Sequence, residues 1–317
     1  MSTVVQTATR LRQPVISVGN LAVGGRGKTP LVAEIARLLV EAGERPAILS
    51  RGYGRRTPDE GPVIVSDGAH VLADLDRAGD EPLLLARTVP GASVVVCDQR
   101  AIAGALAERL LEATVHVLDD GFQHRALARD VDIVAMRPSD FADRRLPFGR
   151  LREPLSALSR ADAVIVDEED EGQARVADVE WPTGTAPVFS LWRGLGDPVP
   201  LEPDRAWPRL DAGVLAVAGI AAPSRFVRAL EARGLRVAYA IEYRDHHAYS
   251  RRDVAHIADM ARHWNVAAVL TTEKDAMRLL GHRPLPVPIA SVPLRARVEP
   301  ADAFRRWLLA RLAEARS

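Results

Sequence analysis

The chain has 317 residues, enough for two domains with a core each, and 47% hydrophobic with 26% charged residues is an ordinary globular composition. Its 42 basic residues balance 42 acidic ones, so bulk charge gives no support for a nucleic-acid partner. A single cysteine, Cys97, excludes a disulfide framework and a cysteine cluster for zinc or iron–sulfur. Because we find neither a signal peptide nor the run of about 20 apolar residues that a spanning helix needs, we expect a cytoplasmic protein.

In the first half of the chain, short β-branched segments alternate with helical patterns, which is typical of a parallel sheet covered by helices on both faces. The predicted strands are 14–18, 47–49, 63–65, 93–97, 115–118, 131–135 and 163–166. Helices are predicted from Thr29 to a stop at Gly43, over 81–87 and over 101–112.

An acidic run at 167–171 and the polar stretch after it predict a solvated linker, so we place a first domain at 1–185 and a second at 186–317. In the second domain the predicted strands are 214–218, 236–241 and 267–270. The predicted helices are 224–233, 251–263, 273–280 and a final helix from Ala301, which completes a second, smaller α/β unit.

A glycine-rich turn, Val18-Gly-Asn-Leu-Ala-Val-Gly-Gly-Arg-Gly-Lys-Thr-Pro30, lies between the first predicted strand and helix. Glycines let several N–H groups point at one anion, and the helix N-terminus adds partial positive charge. Lys28, one of only two lysines, would contact the β and γ phosphates, and the Thr29 hydroxyl would ligate Mg²⁺. Ala22 stands where the strict phosphate-loop pattern has glycine, and an ordinary helix-capping turn is the alternative. The glycines of the turn are Gly24, Gly25 and Gly27.

The predicted strand at 115–118 is followed by two carboxylates, in the sequence Val115-His-Val-Leu-Asp-Asp120. Beside a phosphate loop, Asp119 and Asp120 could hold the metal ion; they could instead simply begin a turn into Gly121. Together the two features predict binding of a nucleoside triphosphate with Mg²⁺. The expected fold class is α/β, a P-loop NTPase-like parallel-sheet domain with a second, smaller α/β domain.

Six further motifs occur in order after the glycine-rich turn. They are Ser50-Arg-Gly-Tyr-Gly-Arg55, Gly79-Asp-Glu-Pro82, Leu118-Asp-Asp-Gly-Phe-Gln-His124, Leu151-Arg-Glu-Pro-Leu155, Asp245-His-His247 and Thr272-Glu-Lys-Asp275. With the turn, this set resembles the tetraacyldisaccharide 4'-kinase family, over about residues 14 to 280. The resemblance implies that ATP, with Mg²⁺, donates its γ-phosphoryl group to the 4'-hydroxyl of the tetraacyldisaccharide 1-phosphate precursor of lipid A.

The resemblance also implies catalytic roles. Asp80 matches the family's base, His246 matches the histidine that partners it, and Lys28 serves the nucleotide, so the smaller domain is expected to contribute to the active-site cleft. His247 is an alternative to His246, and an N-cap role is an alternative for Asp80. A carboxylate that accepts the proton of a sugar hydroxyl would assist attack on the γ-phosphorus.

Other polar positions of the family site match Arg100, Gln123, His124, Arg152 and Glu153. Arg152 belongs to a basic stretch with Arg144, Arg145 and Arg150, which could meet the 1-phosphate of the substrate. A solvated loop is the alternative for Arg144 and Arg145.

Two departures from the family concern the membrane and the turn. Family members usually begin with an apolar segment that anchors them to the bilayer, whereas only thirteen residues precede the first predicted strand here. Three explanations are open: the anchor is lost, the start of the sequence is assigned too late, or another part of the chain contacts the membrane. We expect peripheral association with the cytoplasmic face of the inner membrane, no nucleic acid and no obligate protein partner. Arg26 replaces the family's common threonine. A kinase for a soluble acceptor and a nucleotide switch are the alternative functions, although the guanine-reading N-K-x-D motif is missing.

Overall fold

The structure is a computed structural model that describes residues 8–24, 27–53, 55, 61–167, 184 and 186–317. The chain divides into two compact units. Unit 1 comprises Met1–Trp192 and Ala296–Ser317, and unit 2 comprises Arg193–Arg295. Among the helices so described, none combines the length and the apolar composition needed to cross a bilayer.

Strands and helices alternate along most of the chain. The strands are β1 Val15–Asn20, β2 Pro46–Ser50, β3 Val63–Asp67, β4 Ser93–Val96, β5 Val115–Asp119, β6 Val131–Met136, β7 Ala163–Asp167, β8 Val188–Leu195, β9 Val199–Pro200, β10 Val214–Ala218, β11 Val237–Glu242, β12 Ala268–Thr272, β13 Ile289–Val292 and β14 Leu294–Glu299. The α-helices are α1 Lys28–Glu41, α2 Leu75–Ala78, α3 Asp80–Thr88, α4 Arg100–Leu110, α5 Pro223–Ala232, α6 Arg251–His263, α7 Glu273–Leu279 and α8 Ala301–Glu314. Short 3₁₀ helices cover Pro138–Ala142, Leu155–Arg160 and Leu280–His282.

Unit 1 is built on a sheet of order β14-β8-β7-β6-β1-β5-β2-β4-β3, in which β3 runs antiparallel to β4. Every residue of β1, β5 and β6 is buried, because helices cover both faces of such a sheet and select mainly apolar strands. β1 pairs in parallel with β5, with Val18 opposite Asp119. The glycine-rich turn after β1 and the acidic pair at the end of β5 therefore lie at the same edge of the sheet.

Unit 2 contains a smaller sheet of order β11-β10-β12-β13-β9, parallel except for the short edge strand β9. Leu215, Val217 and Val269 of its strands pack with Ile257 of α6 in one core cluster. The predicted α/β class, a large mainly parallel sheet with a second, smaller α/β unit, is confirmed.

The C-terminal helix lies in a different unit from the one that we expected. The sequence places it in the second domain, but β14 joins the sheet of unit 1 and α8 packs there. Phe304 is fully buried, 5.2 Å from Phe189 between ring centroids, and Arg311 pairs with Asp162 at 3.1 Å. Unit 1 also extends to Trp192, past the expected boundary at 185/186. Residue 185 and most of the predicted linker lie outside the described residues.

Candidate active site

The glycine-rich turn connects β1 to α1. Gly24 and Gly27 have φ angles of 97° and 71°, in the left-handed region that glycine adopts without strain. Gly27 is the N-cap of α1; no side chain caps this helix, and its first turn has no acidic residue. The N–H groups of that turn and the helix dipole therefore suit an anion such as phosphate. Gly25 and Arg26 lie outside the described residues.

Lys28 is the first residue of α1, and its side chain lies at the carboxyl edge of the sheet. Its Nζ donates a hydrogen bond to Oδ1 of Asn20 at 2.9 Å and lies 3.2 Å from Oδ1 of Asp120. Asn20 is fully buried at the end of β1, so the ammonium group is held by the end of that strand and by Asp120 together. Thr29 follows as the second residue of α1 and is partly exposed.

Asp119 ends β5 and is buried. The Ser50 hydroxyl donates to its Oδ2 at 3.3 Å. Burial, and next the negative charge of Glu81, raise the pKa of Asp119 to about 6, and Lys28 offsets only part of that effect. A cation bound at Asp119 would therefore be favourable, because it would offset the negative charges of Glu81 and Asp120, which both raise that pKa.

Asp120 is bound by two cations. The guanidinium of Arg152 donates to both of its carboxylate oxygens, at 3.2 and 3.0 Å, in the forked geometry that arginine allows. Burial opposes ionisation of Asp120, but the Arg152 hydrogen bond and the charge of Lys28 outweigh it and lower the pKa. Asp120 is thus an ionised group that fixes Lys28 and Arg152 at the same place.

The segment around Arg152 is built into the first half of the glycine-rich turn. The backbone N–H of Arg152 donates to the Leu21 carbonyl at 2.6 Å, and that of Val23 donates to the Arg150 carbonyl at 2.8 Å. The guanidinium of Arg152 also donates to the Asn20 carbonyl at 3.0 Å and contacts the Asn20 side-chain oxygen. The predicted substrate residue and the predicted phosphate loop therefore form one structure.

Gln123 and Glu153 complete this network. Gln123 Nε2 donates to the Asn20 carbonyl at 3.0 Å and to Glu153 Oε1 at 3.2 Å. Glu153 Oε2 accepts from Arg160 at 2.7 Å and from Arg125 at 3.3 Å. Asn20, which contacts Lys28, Arg152 and Gln123, is the central residue that the sequence analysis left without a role. The signal for Asn20 was an amide at the end of a mainly apolar strand, directly before the glycine-rich turn.

Arg100 and His124 share a positive region of unit 1. Arg100 is buried at the start of α4, where it donates to the carbonyls of Cys97 and Asp98, both at 3.2 Å. Burial, followed by the charge of Arg51, lowers the pKa of Arg100. Burial and the charges of Arg100 and Arg51 lower the pKa of His124 as well. An anionic group of a substrate would be stabilised here.

Asp80 is the first residue of α3 and is buried. The alternative N-cap role is wrong, because Gly79 occupies the cap position with a φ of 82°. A Cβ at Gly79 would lie 2.7 Å from the Tyr53 carbonyl oxygen, so glycine permits the close packing of two predicted motifs. Glu81, the next residue of α3, has a negative charge that raises the pKa of Asp119.

In unit 2, His246 and His247 have different surroundings. His247 stacks on Tyr243 with ring centroids 4.4 Å apart, and its Nε2 lies 3.2 Å from Asp253 Oδ2. His246 is more exposed, has a φ of 58°, and its Nδ1 lies 3.2 Å from Nη2 of Arg278. Because a guanidinium only donates, this contact requires Nδ1 to accept and leaves the proton of a neutral ring on Nε2. Within unit 2, His246 is therefore the better placed of the two to serve an external group.

Arg278 is itself fixed by the motif that starts α7. Its Nη1 lies 3.2 Å from Asp275 Oδ1, and both side chains are buried. Asp275 Oδ2 also accepts from the Gly219 N–H at 2.9 Å and from the Thr272 hydroxyl at 2.7 Å. Asp275 therefore links the ends of β10 and β12 to the residue that holds His246.

A parallel α/β sheet with a glycine-rich turn after a central strand, a lysine at the start of the next helix and an acidic pair on the adjoining strand defines a P-loop nucleotide-binding protein. The family model described as tetraacyldisaccharide-1-P 4'-kinase (LpxK) matches residues 1–313. The chain belongs to this family.

Relatives and a solved structure agree with this assignment. The chain is 40% identical to a tetraacyldisaccharide 4'-kinase of Syntrophus aciditrophicus, over 95% of this chain and 84% of that protein. It is 43% identical to one of Anaeromyxobacter dehalogenans, over 86% of this chain and 74% of that protein. This chain is also similar to a crystal structure of LpxK from Aquifex aeolicus in complex with ATP, with a TM-score of 0.78 and 33% sequence identity. The match covers 96% of this chain and 90% of the chain in that structure.

Proposed function

We propose that this chain transfers the γ-phosphoryl group of ATP to the 4'-hydroxyl of an acylated glucosamine disaccharide 1-phosphate, a step of lipid A biosynthesis. The observation that carries the proposal is the network in which Asn20 and Asp120 hold Lys28 and Arg152 at the uncapped start of α1. A relative named for this activity, and an ATP complex of a related structure, support it.

The nucleotide is assigned to the glycine-rich turn. The N–H groups at the start of α1 and the Lys28 ammonium supply positive charge where the triphosphate would lie, and the absence of side chains at Gly24 and Gly27 leaves room for it. Gly25, in the same motif, is assigned to the nucleotide from the sequence pattern alone. Lys28 is already oriented by Asn20 and Asp120, so little side-chain ordering is needed when ATP binds.

Mg²⁺ is assigned to Thr29, Asp119 and Asp120. No group of three or more His, Cys, Asp or Glu side chains with metal-site geometry occurs among the described residues, but Mg²⁺ on a nucleotide uses one or two carboxylates together with phosphate and water oxygens. Buried Asp119, with Glu81 raising its pKa, fits such a cation. When bound, the ion would neutralise charge on the transferring phosphates.

Asp80 is proposed as the general base and His246 as its partner. Asp80 would take the proton from the 4'-hydroxyl as the new oxygen–phosphorus bond forms and the bond to the β-phosphate oxygen breaks, releasing ADP. His246, with a proton on Nε2, is suited to orient and stabilise the ionised carboxylate. Arg100, Gln123, His124, Arg152 and Glu153 are proposed to bind the acceptor, with Arg152 available to its 1-phosphate.

The test uses γ-labelled ATP and the tetraacyl disaccharide 1-phosphate in detergent micelles. Lys28→Ala should lose at least about a hundredfold in kcat/KM together with ATP affinity, because a phosphate-stabilising charge is removed. Asp80→Asn should lose about 10²–10⁴-fold in kcat and keep ATP affinity, because it removes a base and little volume.

Asp211→Asn, a neutralised exposed carboxylate in unit 2, is the matched control and should behave as wild type. Full activity of the Asp80→Asn protein would refute the base assignment. Normal ATP binding with no labelled lipid from wild-type protein would refute the acceptor.

A further inference from the structure

The loop at 143–150 presents an apolar tip to solvent. Phe148 is 85% exposed, more than any other large hydrophobic side chain in the part of the chain that the structure describes, and Leu146 is 52% exposed. Single exposed apolar residues are common, but contiguous ones often mark a surface that is covered in use, and residues 146–148 are all exposed. Leu146, Pro147 and Phe148 are referred to below as the apolar tip.

The loop is held in shape by its own hydrogen bonds. The Leu151 N–H donates to the Arg144 carbonyl at 3.0 Å, and Asp143 Oδ1 accepts from the N–H groups of Arg144 and Arg150 at 2.8 and 3.1 Å. A Cβ at Gly149 would lie 2.2 Å from the Arg144 carbonyl oxygen, so glycine is needed where the loop closes. The exposure of the apolar tip therefore belongs to an ordered loop.

The charges beside the tip are mainly positive. Residues 143–150 contain three arginines and one acidic residue, Asp143, which pairs with Arg150 at 2.8 Å. Arg144 and Arg145 are both exposed and give the loop a net positive charge. An apolar tip flanked by exposed arginines complements a bilayer surface that contains anionic lipids, which accepts apolar side chains below its headgroups and cations among them.

The loop is also continuous with the candidate active site. Leu151 is buried and packs in one cluster with Leu21 and Ala22 of the glycine-rich turn. The next residue, Arg152, binds Asp120. A membrane contact made by the loop would thus be transmitted through two consecutive residues to the phosphate-binding turn.

We propose that the apolar tip inserts into the interfacial region of a bilayer while Arg144 and Arg145 contact anionic lipid headgroups. This places the Arg152 side of unit 1 against the surface in which an acyl-chain acceptor resides. The inference rests on the proposed function, because only an acylated acceptor requires the enzyme to work at a membrane.

The direct test is vesicle sedimentation of the full chain with phosphatidylglycerol–phosphatidylethanolamine vesicles. Replacing Leu146 and Phe148 together by serine should weaken binding about tenfold or more, since a buried phenylalanine accounts for at least that factor. Leu110→Ser, which removes an exposed leucine of similar exposure (56%) on α4, is the matched control and should bind as wild type.

Headgroup charge is tested by the Arg144→Gln and Arg145→Gln proteins. Each change should weaken binding to the anionic vesicles about fivefold and should have little effect with neutral phosphatidylcholine vesicles. In Phe148→Trp protein, brominated lipids should quench fluorescence beyond the level seen with the wild-type tryptophans, which reports insertion directly.

Two activity measurements separate this inference from the proposed function. The double serine variant should phosphorylate the acceptor in detergent micelles as wild type does and lose activity only on acceptor embedded in vesicles. Wild-type vesicle binding by the double variant, or no vesicle binding by the wild type, would overturn the membrane inference. If wild-type protein phosphorylated the acceptor neither in micelles nor in vesicles, the proposed function would be refuted. Vesicle sedimentation would still show whether the apolar tip binds the membrane.

Discussion

The helices α1 and α7 begin at the carboxyl edges of the two sheets, yet their N-termini differ. The N-cap of α1 is Gly27, so α1 has no side-chain cap; its first turn has no acidic residue, and Lys28 adds a positive charge. The N-cap of α7 is Thr272, whose hydroxyl accepts a hydrogen bond from the Asp275 N–H, and Glu273 and Asp275 lie in the first turn. The first N-terminus therefore suits an external anion, whereas the second is satisfied by its own side chains.

This difference shows how one kind of sheet edge serves two purposes. In unit 1, Asp120 binds Lys28 and Arg152 beside the start of α1, where we propose that the phosphates bind, so replacement of Asp120 should mainly affect activity. In unit 2, Asp275 is buried in contact with Arg278, which in turn contacts His246. Replacement of Asp275 should therefore mainly affect stability. Three substitutions test the contrast.

Asp275→Ala should have the largest effect of the three. It leaves Arg278 buried without its carboxylate and removes the acceptor of the Gly219 N–H, which should lower the free energy of unfolding by about 3–5 kcal/mol. Urea denaturation followed by circular dichroism measures this change.

Asp211→Ala breaks an exposed pair with Arg209 and is the control, for which we expect a change of at most about 1 kcal/mol. If the two proteins were equally stable, the network around α7 would not be the structural element that we describe.

The contrast between the helices was only partly predictable. The strand, glycine turn and lysine of unit 1 follow from local patterns, as do the acids that end β5, because consecutive residues determine them. The role of Asn20 depends on contacts with Gln123 and Arg152, more than a hundred positions away, which a single sequence does not reveal. The effect of Glu81 on Asp119 depends on long-range packing in the same way.

The domain organisation shows the same limit. The helical pattern from Ala301 predicts α8 correctly, but its place in unit 1 depends on β14 joining the large sheet, and neither β8 nor β14 was predicted. The exposed state of Phe148 was equally hidden, since an isolated phenylalanine in a sequence is usually a core residue.

Thr272→Ala should have an intermediate effect. It removes the side chain that accepts from the Asp275 N–H and donates to the Asp275 carboxylate, so we expect a loss of about 1 kcal/mol in unfolding free energy. Thr272→Ser retains the hydroxyl and should recover most of that loss in the same denaturation assay. Equal stability of the alanine and serine variants would contradict a capping role.

Pro30→Glu should have the smallest effect and tests α1 directly. It gives the first turn of α1 the acidic residue that α7 already has, at the third position after the Gly27 cap, where a carboxylate favours the helix dipole. Stability should therefore stay the same or rise by a few tenths of a kcal/mol. ATP affinity should fall about fivefold, since the carboxylate would compete with the phosphates for the N–H groups of the first turn and would repel their negative charge.

Pro30→Gln separates the charge from the loss of the proline ring. If the N-terminus of α1 faces phosphate, the glutamine protein should bind ATP more tightly than the glutamate protein, and the difference should shrink as salt is added, because ions screen repulsion between partly exposed charges. Equal ATP affinity of the two proteins at low salt would show that the first turn of α1 does not face the phosphates. The uncapped helix end would then be a structural peculiarity, and Lys28 would have to bind the nucleotide without support from the helix dipole.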